Sequence, residues 1–171
     1  DRPRAISIML SHLPENTEKV CSLFLTGGSI ELAVANKGVQ VRALTHNIEL
    51  LTFWLCVATD PVKLALLANQ LFPLLEDEDV FQNLQERRNE SQDPFICAAI
   101  FYALNRATSN GLASCGKFVE GHPRLNDRAL SNLASFKFRN LVVDLSEDSV
   151  ADARKHEDKF LICCPYSKYS S

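Results

Sequence analysis

Two compact apolar runs near the start of the chain are each followed by a turn and a helical pattern, and this order constrains the fold most. Val20 to Leu25 predicts a strand that ends in Thr26-Gly27-Gly28, with Ser29 as the N-cap of the next helix. Val39 to Leu44 predicts a second strand, and Asn47 begins the helix after it. Strands separated by helices usually pair in parallel. The sequence therefore predicts a three-layer α/β fold.

The middle of the chain changes to a mainly helical pattern. Asp60 is a good N-cap and Pro61 a good first residue for a helix rich in leucine. Pro94 starts another helix, from Phe95 to Arg106, with a wide apolar face. Further elements are predicted as a helix at 5–13, a surface helix within 76–93, a loop at 109–126 with at most a small hairpin, a helix capped by Asp127 that runs to about Leu133, strands at 141–143 and 160–164, and a helix at 147–154.

The length and composition favour one domain. A chain of 171 residues that is 46% hydrophobic is long enough for a real core and too short for two ordinary domains. We interpret 1–171 as a single domain, in which 1–60 and 136–171 form the sheet core and 61–135 are a mostly helical insertion. The formal net charge of -3 argues against a protein that coats nucleic acid with bulk positive charge.

The cysteines and the hydropathy pattern limit the environment and the cofactors. The six cysteines show no C-x-x-C spacing, so we expect reduced structural thiols, no metal site and an intracellular location. No apolar run reaches the ~18 residues that cross a bilayer, so we expect no membrane partner.

One segment combines an aromatic-rich helix, a polar exit and a glycine turn. It runs from Ile96 to Leu112, with Asn105-Arg106 at the exit, and continues into Gly116-Lys117-Phe118. This segment resembles the pattern A-A-x-F-x-x-L-N-R-x-x-x-N-G-L, then G-x-F, of the Dam family of adenine-specific DNA methyltransferases. The resemblance implies a Rossmann-like methyltransferase sheet, with S-adenosylmethionine as cofactor, and makes 61–135 the counterpart of the target-recognition region.

In that region the resemblance implies nucleic-acid contacts by Arg106, Lys117 and Arg124. Cationic side chains at such positions contact phosphates and position a protein on DNA. The alternative is a solvated surface of mixed charge, because acidic residues such as Glu120 are interleaved with these cations.

The first predicted strand and its glycine turn resemble the E-P-F-x-G-x-G cofactor loop of the family. Phe24, Gly27 and Gly28 match in order, whereas Cys21-Ser22 or Leu23 stands where the family has its acidic residue and proline. A tight connector that binds no ligand remains the alternative, since glycine is common in plain turns.

The end of the second predicted strand resembles the D-x-N-x-x-L motif, whose aspartate holds the ribose hydroxyls of the cofactor. Asn47 fits, but Thr45 replaces the aspartate, and a hydroxyl offers neither its charge nor its bidentate geometry. Asp144 is the counterpart of another family aspartate. The alternatives are an N-cap for Asn47 and a turn residue for Asp144. We expect no bound cofactor, or S-adenosylmethionine if the chain is active.

The catalytic D-P-P-Y motif has its counterpart in Cys163-Cys164-Pro165-Tyr166. In the family this motif accepts a hydrogen bond from the adenine amino group and stacks a tyrosine on the flipped base. A neutral thiol is a poor acceptor, so we expect no catalytic residue here. The alternative of Cys163 as a nucleophile, with His46 or His156 as its base, competes with a buried strand thiol.

These departures predict a degenerate and C-terminally truncated member of the family. We expect a non-catalytic domain that is a structural or nucleic-acid-associated subunit of a larger assembly. Its partners would be other protein subunits covering the sheet edge, with DNA or RNA as a second class. The alternatives are an active adenine-specific DNA methyltransferase with atypical motifs, and a small module that binds another ligand in the same cleft.

Overall fold

The computed structural model describes residues 3–155 and 160–162 of the chain. These residues form two compact units by their contacts. The sheet unit comprises the described residues of 1–51 and 138–171, and the helical unit comprises 52–137. The elements in chain order are α1 Pro3–His12, β1 Lys19–Ser22, α2 Ser29–Ala35, β2 Gln40–Thr45, α3 Ile48–Thr59, α4 Pro61–Leu71, α5 Glu78–Glu86, α6 Pro94–Ala107, α7 Asp127–Ala134, β3 Leu141–Leu145, α8 Ser149–Arg154 and β4 Phe160–Ile162.

The sheet unit contains one parallel sheet with the strand order β3-β2-β1-β4. Val20 of β1 lies opposite Val41 of β2, which in turn lies opposite Leu141 of β3. The chain moves outward from β1 to β3 and then crosses back to place β4 on the other side of β1. This is the order of a doubly wound Rossmann-like sheet. The predicted α/β fold class is confirmed.

The core of the sheet unit lies on both faces of β1. Val20, Cys21 and Ser22 are successive residues that point to alternate faces, yet each is at most 1% exposed. On one side, Cys21 and Leu44 form a buried cluster with Leu23 and Ala153. Helix α2 packs against β2 and α1. A strand that is buried on both faces requires apolar or fully paired side chains along its whole length.

Several predicted boundaries need correction. Strand β1 stops at Ser22 and not at Leu25, although the Leu25 N–H still donates to the Leu44 carbonyl over 2.9 Å. The N-cap of α2 is Gly28 and not Ser29, because the chain enters that helix at a φ of 75°, which favours glycine. The N-cap of α7 is Asn126 and not Asp127.

The helical unit is built around α4 and α6. Helix α4 packs against α6 and α7, and Leu64, Ala103 and Leu104 are completely buried. Tyr102 of α6 stacks between Phe53 and Phe72, at centroid distances of 5.7 and 6.1 Å, and its hydroxyl donates to the Ala129 carbonyl. Within the described ranges, no helix is long and apolar enough to cross a membrane.

The two units divide inside α3, between residues 51 and 52, and again between residues 137 and 138. The sequence placed the first boundary after residue 60 and the second after residue 135. The difference arises because residues 52–59 of α3 contain Phe53, which packs on the aromatic cluster of the helical unit.

A pair of leucines on α4 tests this packing. Leu64 is fully buried and Leu66 is 61% exposed. Leu64→Ala should lower the free energy of unfolding by about 2 to 5 kcal/mol, because it removes buried methyl groups and leaves a cavity. Leu66→Ala should change it by about 0.5 kcal/mol or less. Urea unfolding followed by circular dichroism measures both, and equal losses would contradict the packing of α4.

Candidate functional site

The candidate site lies where the parallel strands of the sheet unit end. Ligands of open α/β sheets bind outside the carboxyl ends of the strands, where the strand order reverses. In this sheet the reversal lies between β1 and β4. The glycine turn follows β1, Thr45 ends β2, and Ser146 follows β3. The segment 163–166, predicted as a degenerate counterpart of the catalytic motif, follows β4 and lies outside the described residues.

The glycine turn joins β1 to α2. Phe24 is partly buried and packs against the apolar cluster that contains Cys21 and Leu44. Gly27 is open, since a Cβ on it would meet nothing within 4 Å. Gly28 has the positive φ, and its carbonyl accepts the N–H of Leu32 to begin the helix. The predicted strand, glycine turn and helix are therefore present, while their binding role stays a prediction.

A buried carboxylate beside this turn was not predicted. The Ser22 hydroxyl donates a hydrogen bond to Oε1 of Glu31 over 2.6 Å, and the two residues are 1% and 4% exposed. Hydrogen bonding and the first-turn position of Glu31 both stabilise a buried carboxylate. The signal in the sequence was a single acidic residue in the otherwise apolar run of α2.

At the end of β2 the polar groups bond to one another. The Thr45 hydroxyl accepts the N–H of Asn47 over 3.1 Å, and Thr45 is only 2% exposed. The side-chain oxygen of Asn47 accepts the N–H groups of Glu49 and Leu50, at 2.9 and 3.1 Å. This confirms the N-cap interpretation of Asn47. The Thr45 carbonyl also accepts the N–H of Ser146 over 2.8 Å.

Two further carboxylates near the strand ends are paired within the sheet unit. Asp144 lies within β3 and accepts a hydrogen bond from Nε of Arg42 on β2, over 2.6 Å. Asp152 accepts hydrogen bonds from Lys155 and from the Ser146 hydroxyl, at 2.8 and 2.7 Å. Lys155 first, and then Ser146, hold the pKa of Asp152 below its ordinary value.

In the helical unit the structure brings two of the predicted nucleic-acid residues together. Arg106 lies over the ring of Tyr102, 5.2 Å from its centroid. Burial lowers the pKa of Arg124, and the charge of Arg106 lowers it further. Nη2 of Arg124 is buried and has no hydrogen-bond partner among the residues that the structure describes. Two close guanidinium groups with an unused donor favour an anion between or beside them.

The third predicted cation, Lys117, is exposed and lies on a different part of the loop. Its neighbour Phe118 is partly buried and packs against Phe81 at a centroid distance of 5.2 Å. Val119 donates its N–H to the Ala107 carbonyl over 3.1 Å, next to an antiparallel bridge between Thr108 and Phe118. The predicted small hairpin in this loop is therefore reduced to a single bridge.

The asparagine and glycines of the segment from Asn105 to Gly116 have a structural role in this loop. The Asn105 side-chain amide donates to the Gly111 carbonyl and ties the end of α6 to the turn. At Gly116 a Cβ would come within 2.4 Å of the Leu112 carbonyl oxygen, so only glycine fits. The spacing of asparagine and glycines is thus required to fold the segment back on itself.

The two glycines of the cofactor-type turn give a matched test. Gly28→Ala should lower the free energy of unfolding by about 1 to 2 kcal/mol, because an L side chain is strained at a φ of 75°. Gly27→Ala has open space and should change it by about 0.5 kcal/mol or less. Denaturant titration of both variants provides the measurement. A Gly27→Ala loss as large as that of Gly28→Ala would contradict the turn geometry.

Comparison with known proteins agrees with this geometry. The sequence model of the D12 class N6 adenine-specific DNA methyltransferases matches residues 4–120, well over half of the chain. The matched range contains the glycine turn, Thr45, Asn47 and the Asn105 to Phe118 segment, whereas Arg124 and Asp144 lie beyond it. A search of curated proteins finds no match. The resemblance to the Dam-type enzymes is confirmed, and the chain belongs to the D12 class N6 adenine-specific DNA methyltransferase family.

Proposed function

We propose that this chain is a non-catalytic adenine-DNA-methyltransferase-like domain that serves as a structural or nucleic-acid-associated subunit of a larger assembly. One observation carries the proposal: Thr45, which by resemblance is the counterpart of the ribose-binding aspartate, is buried and its hydroxyl accepts the Asn47 N–H. S-adenosylmethionine is the methyl donor of this family. The polar groups at the end of β2 stabilise the entry to α3 and offer this cofactor no carboxylate.

The neighbouring carboxylates do not replace the missing one. The Glu31 carboxylate is 4% exposed and bonds to Ser22, and Asp144 is paired with Arg42. Both carboxylates have a place inside the fold, since Glu31 is shielded from solvent and the charge of Asp144 is balanced by Arg42. The described residues therefore fit the ribose of the cofactor poorly, which supports a domain without methyl transfer.

A nucleic-acid association is supported by the helical unit. The charge of Arg106 acts on Arg124, and the buried Nη2 of Arg124 lacks a partner among the described residues. Phosphate is an anion that a planar guanidinium binds well, through two parallel N–H donors. With a net charge of -3 for the whole chain, such binding is local and weak.

A protein partner is supported by exposed apolar side chains on β3. This strand ends the sheet order among the described strands, and Val142 and Leu145 are 57% and 48% exposed. Unpaired strand edges with apolar side chains favour association with another chain. The other edge proposed from the sequence, at Phe160 to Cys164, lies only in part within the described residues.

The competing function is an active S-adenosylmethionine-dependent adenine-specific DNA methyltransferase with atypical motifs. Family membership over residues 4–120, the strand order and the glycine turn favour it. The two proposals differ in cofactor binding and methyl transfer, and both can be measured on the purified chain.

Calorimetry and a methyl-transfer assay test the absence of catalysis. The chain should show no saturable binding of S-adenosylmethionine at micromolar concentration and no transfer of a labelled methyl group to duplex DNA, with an active family member as positive control. Transfer by the unmodified chain would establish the competing function.

A second pair of variants tests the role of Thr45. Thr45→Asp should strengthen S-adenosylmethionine binding by about tenfold or more, because a charge-assisted hydrogen bond contributes about 1.5 to 3 kcal/mol. Thr45→Asn has nearly the same shape without the charge and should leave binding unchanged. Circular dichroism shows whether each variant is folded. If the two folded variants bind S-adenosylmethionine equally well, the lost carboxylate is not the reason for weak cofactor binding.

The proposed phosphate contact predicts a change in salt dependence. Arg106→Gln should weaken binding to a labelled duplex and reduce the slope of log affinity against log salt by about 0.9, as expected for one lost phosphate contact. Arg139 is an exposed arginine of the sheet unit, and Arg139→Gln is the matched control. Fluorescence anisotropy at several salt concentrations gives both slopes. Identical slopes for the two variants would refute the contact.

A further inference from the structure

The helical unit carries an open groove of about 590 Å³ that the proposed function does not use. Its walls come from the one-turn 3-10 helix Pro73–Glu76, the start of α5, and the loop segment 118–120. The apolar part of its lining consists of Pro73, Leu74, Val80 and Phe118. Leu74 is 52% exposed, which leaves a large aliphatic side chain without a covering neighbour.

The rest of the lining is acidic. Glu76, Asp77, Glu78 and Glu120 surround the apolar floor, and no lysine or arginine lines the groove. Asp77 is used as the N-cap of α5, where its oxygen accepts the N–H groups of Asp79 and Val80. Glu76 and Glu120 make no hydrogen bond or ion pair with any residue in the described part of the chain. The rim therefore carries uncompensated negative charge.

Several contacts hold the groove in shape. The Gln85 side-chain amide donates to the carbonyls of Ala113 and Gly116, at 2.9 and 3.2 Å, and fastens the loop to α5. Phe118 is held by its contact with the buried ring of Phe81. A groove whose walls are fixed in advance loses little entropy when a ligand binds.

We propose that this groove docks a basic peptide segment of a partner protein, with one apolar residue seated against Leu74 and Phe118 and flanking lysines or arginines beside Glu76 and Glu120. The apolar floor contacts the apolar residue of the peptide, and the acidic rim makes the groove prefer basic peptides to acidic ones. Nucleic acid and anionic lipid are excluded by the same carboxylates, which repel phosphate. The site belongs to the helical unit alone and does not depend on the proposed loss of catalysis.

Fluorescence anisotropy of the full chain with the labelled peptide Arg-Lys-Gly-Phe-Gly-Lys-Arg tests the proposal. This peptide should bind saturably, and about tenfold more tightly than the same peptide with serine in place of phenylalanine, because the anchor buries an aromatic side chain. A peptide with glutamate at the four basic positions should not bind. Absence of saturable binding by the basic peptide would overturn the proposal.

Charge reversal locates the binding site. Glu76→Lys combined with Glu120→Lys should weaken binding of the basic peptide about tenfold, since two weak surface attractions become repulsions. Glu86→Lys, on the exposed surface of α5 outside the groove, is the control and should leave binding unchanged. An equal loss with Glu86→Lys would show a diffuse charge effect and overturn the groove as the site.

The apolar anchor and the choice of partner have their own tests. Leu74→Ser should weaken binding of the phenylalanine peptide but not of the serine peptide. Leu66 is also exposed but lies outside the groove, so Leu66→Ser should change the binding of neither peptide. Light scattering of the unmodified chain should show no dimer that depends on Leu74. A dimer abolished by Leu74→Ser would assign the groove to a second copy of this chain and overturn the proposal.

Discussion

The burial of β1 on both faces is the constraint on which the rest of the sheet unit depends. A central parallel strand has neighbours on both edges and packing on both sides, so every residue of β1 after the exposed Lys19 is removed from water. Ser22, the last residue of the strand, is therefore deprived of solvent and needs a partner inside the protein. Glu31 provides it from the first turn of α2, and this bond ties the helix to the sheet beside the glycine turn.

The same requirement explains the chemistry at the other strand ends. Thr45 bonds to Asn47, and Arg42 bonds to Asp144, so that the polar groups of this edge are satisfied by one another. An enzyme site ordinarily leaves some groups unpaired for its ligand and tolerates the cost in stability. Here the described polar groups contribute to folding. A cleft of this kind can keep the architecture of a family after its original chemistry has been lost, which is the basis of the proposed function.

Features that depend on residues close together in the chain could be predicted from the sequence. The strand, glycine turn and helix order, the Asp60 and Asn47 caps, and the start of α6 at Pro94 follow from local preferences and were predicted correctly. The caps Gly28 and Asn126 were missed by one residue, because two adjacent residues had similar preferences and only backbone geometry separates them.

Contacts between residues that are far apart in the chain could not be predicted from the sequence. Arg42 and Asp144 are 102 residues apart and meet only because β2 and β3 are paired. The acidic groove likewise combines residues 73–80 with 118–120, and no local pattern connects them. Prediction of such contacts requires the strand register and the loop path, both of which are set by the packing of the whole unit.

The fold-back of the segment after α6 has a thermodynamic consequence. Residues 108–124 carry Phe118 and Glu120 of the acidic groove and, at their end, Arg124 of the guanidinium pair. The contacts of Gln85 and Asn105 hold this loop in one shape, so any effect of a ligand at one end on the affinity at the other end passes through a preformed segment and is reciprocal by necessity. The loop is thus a place where occupancy by a protein segment and occupancy by an anion can be energetically coupled without any movement of the sheet.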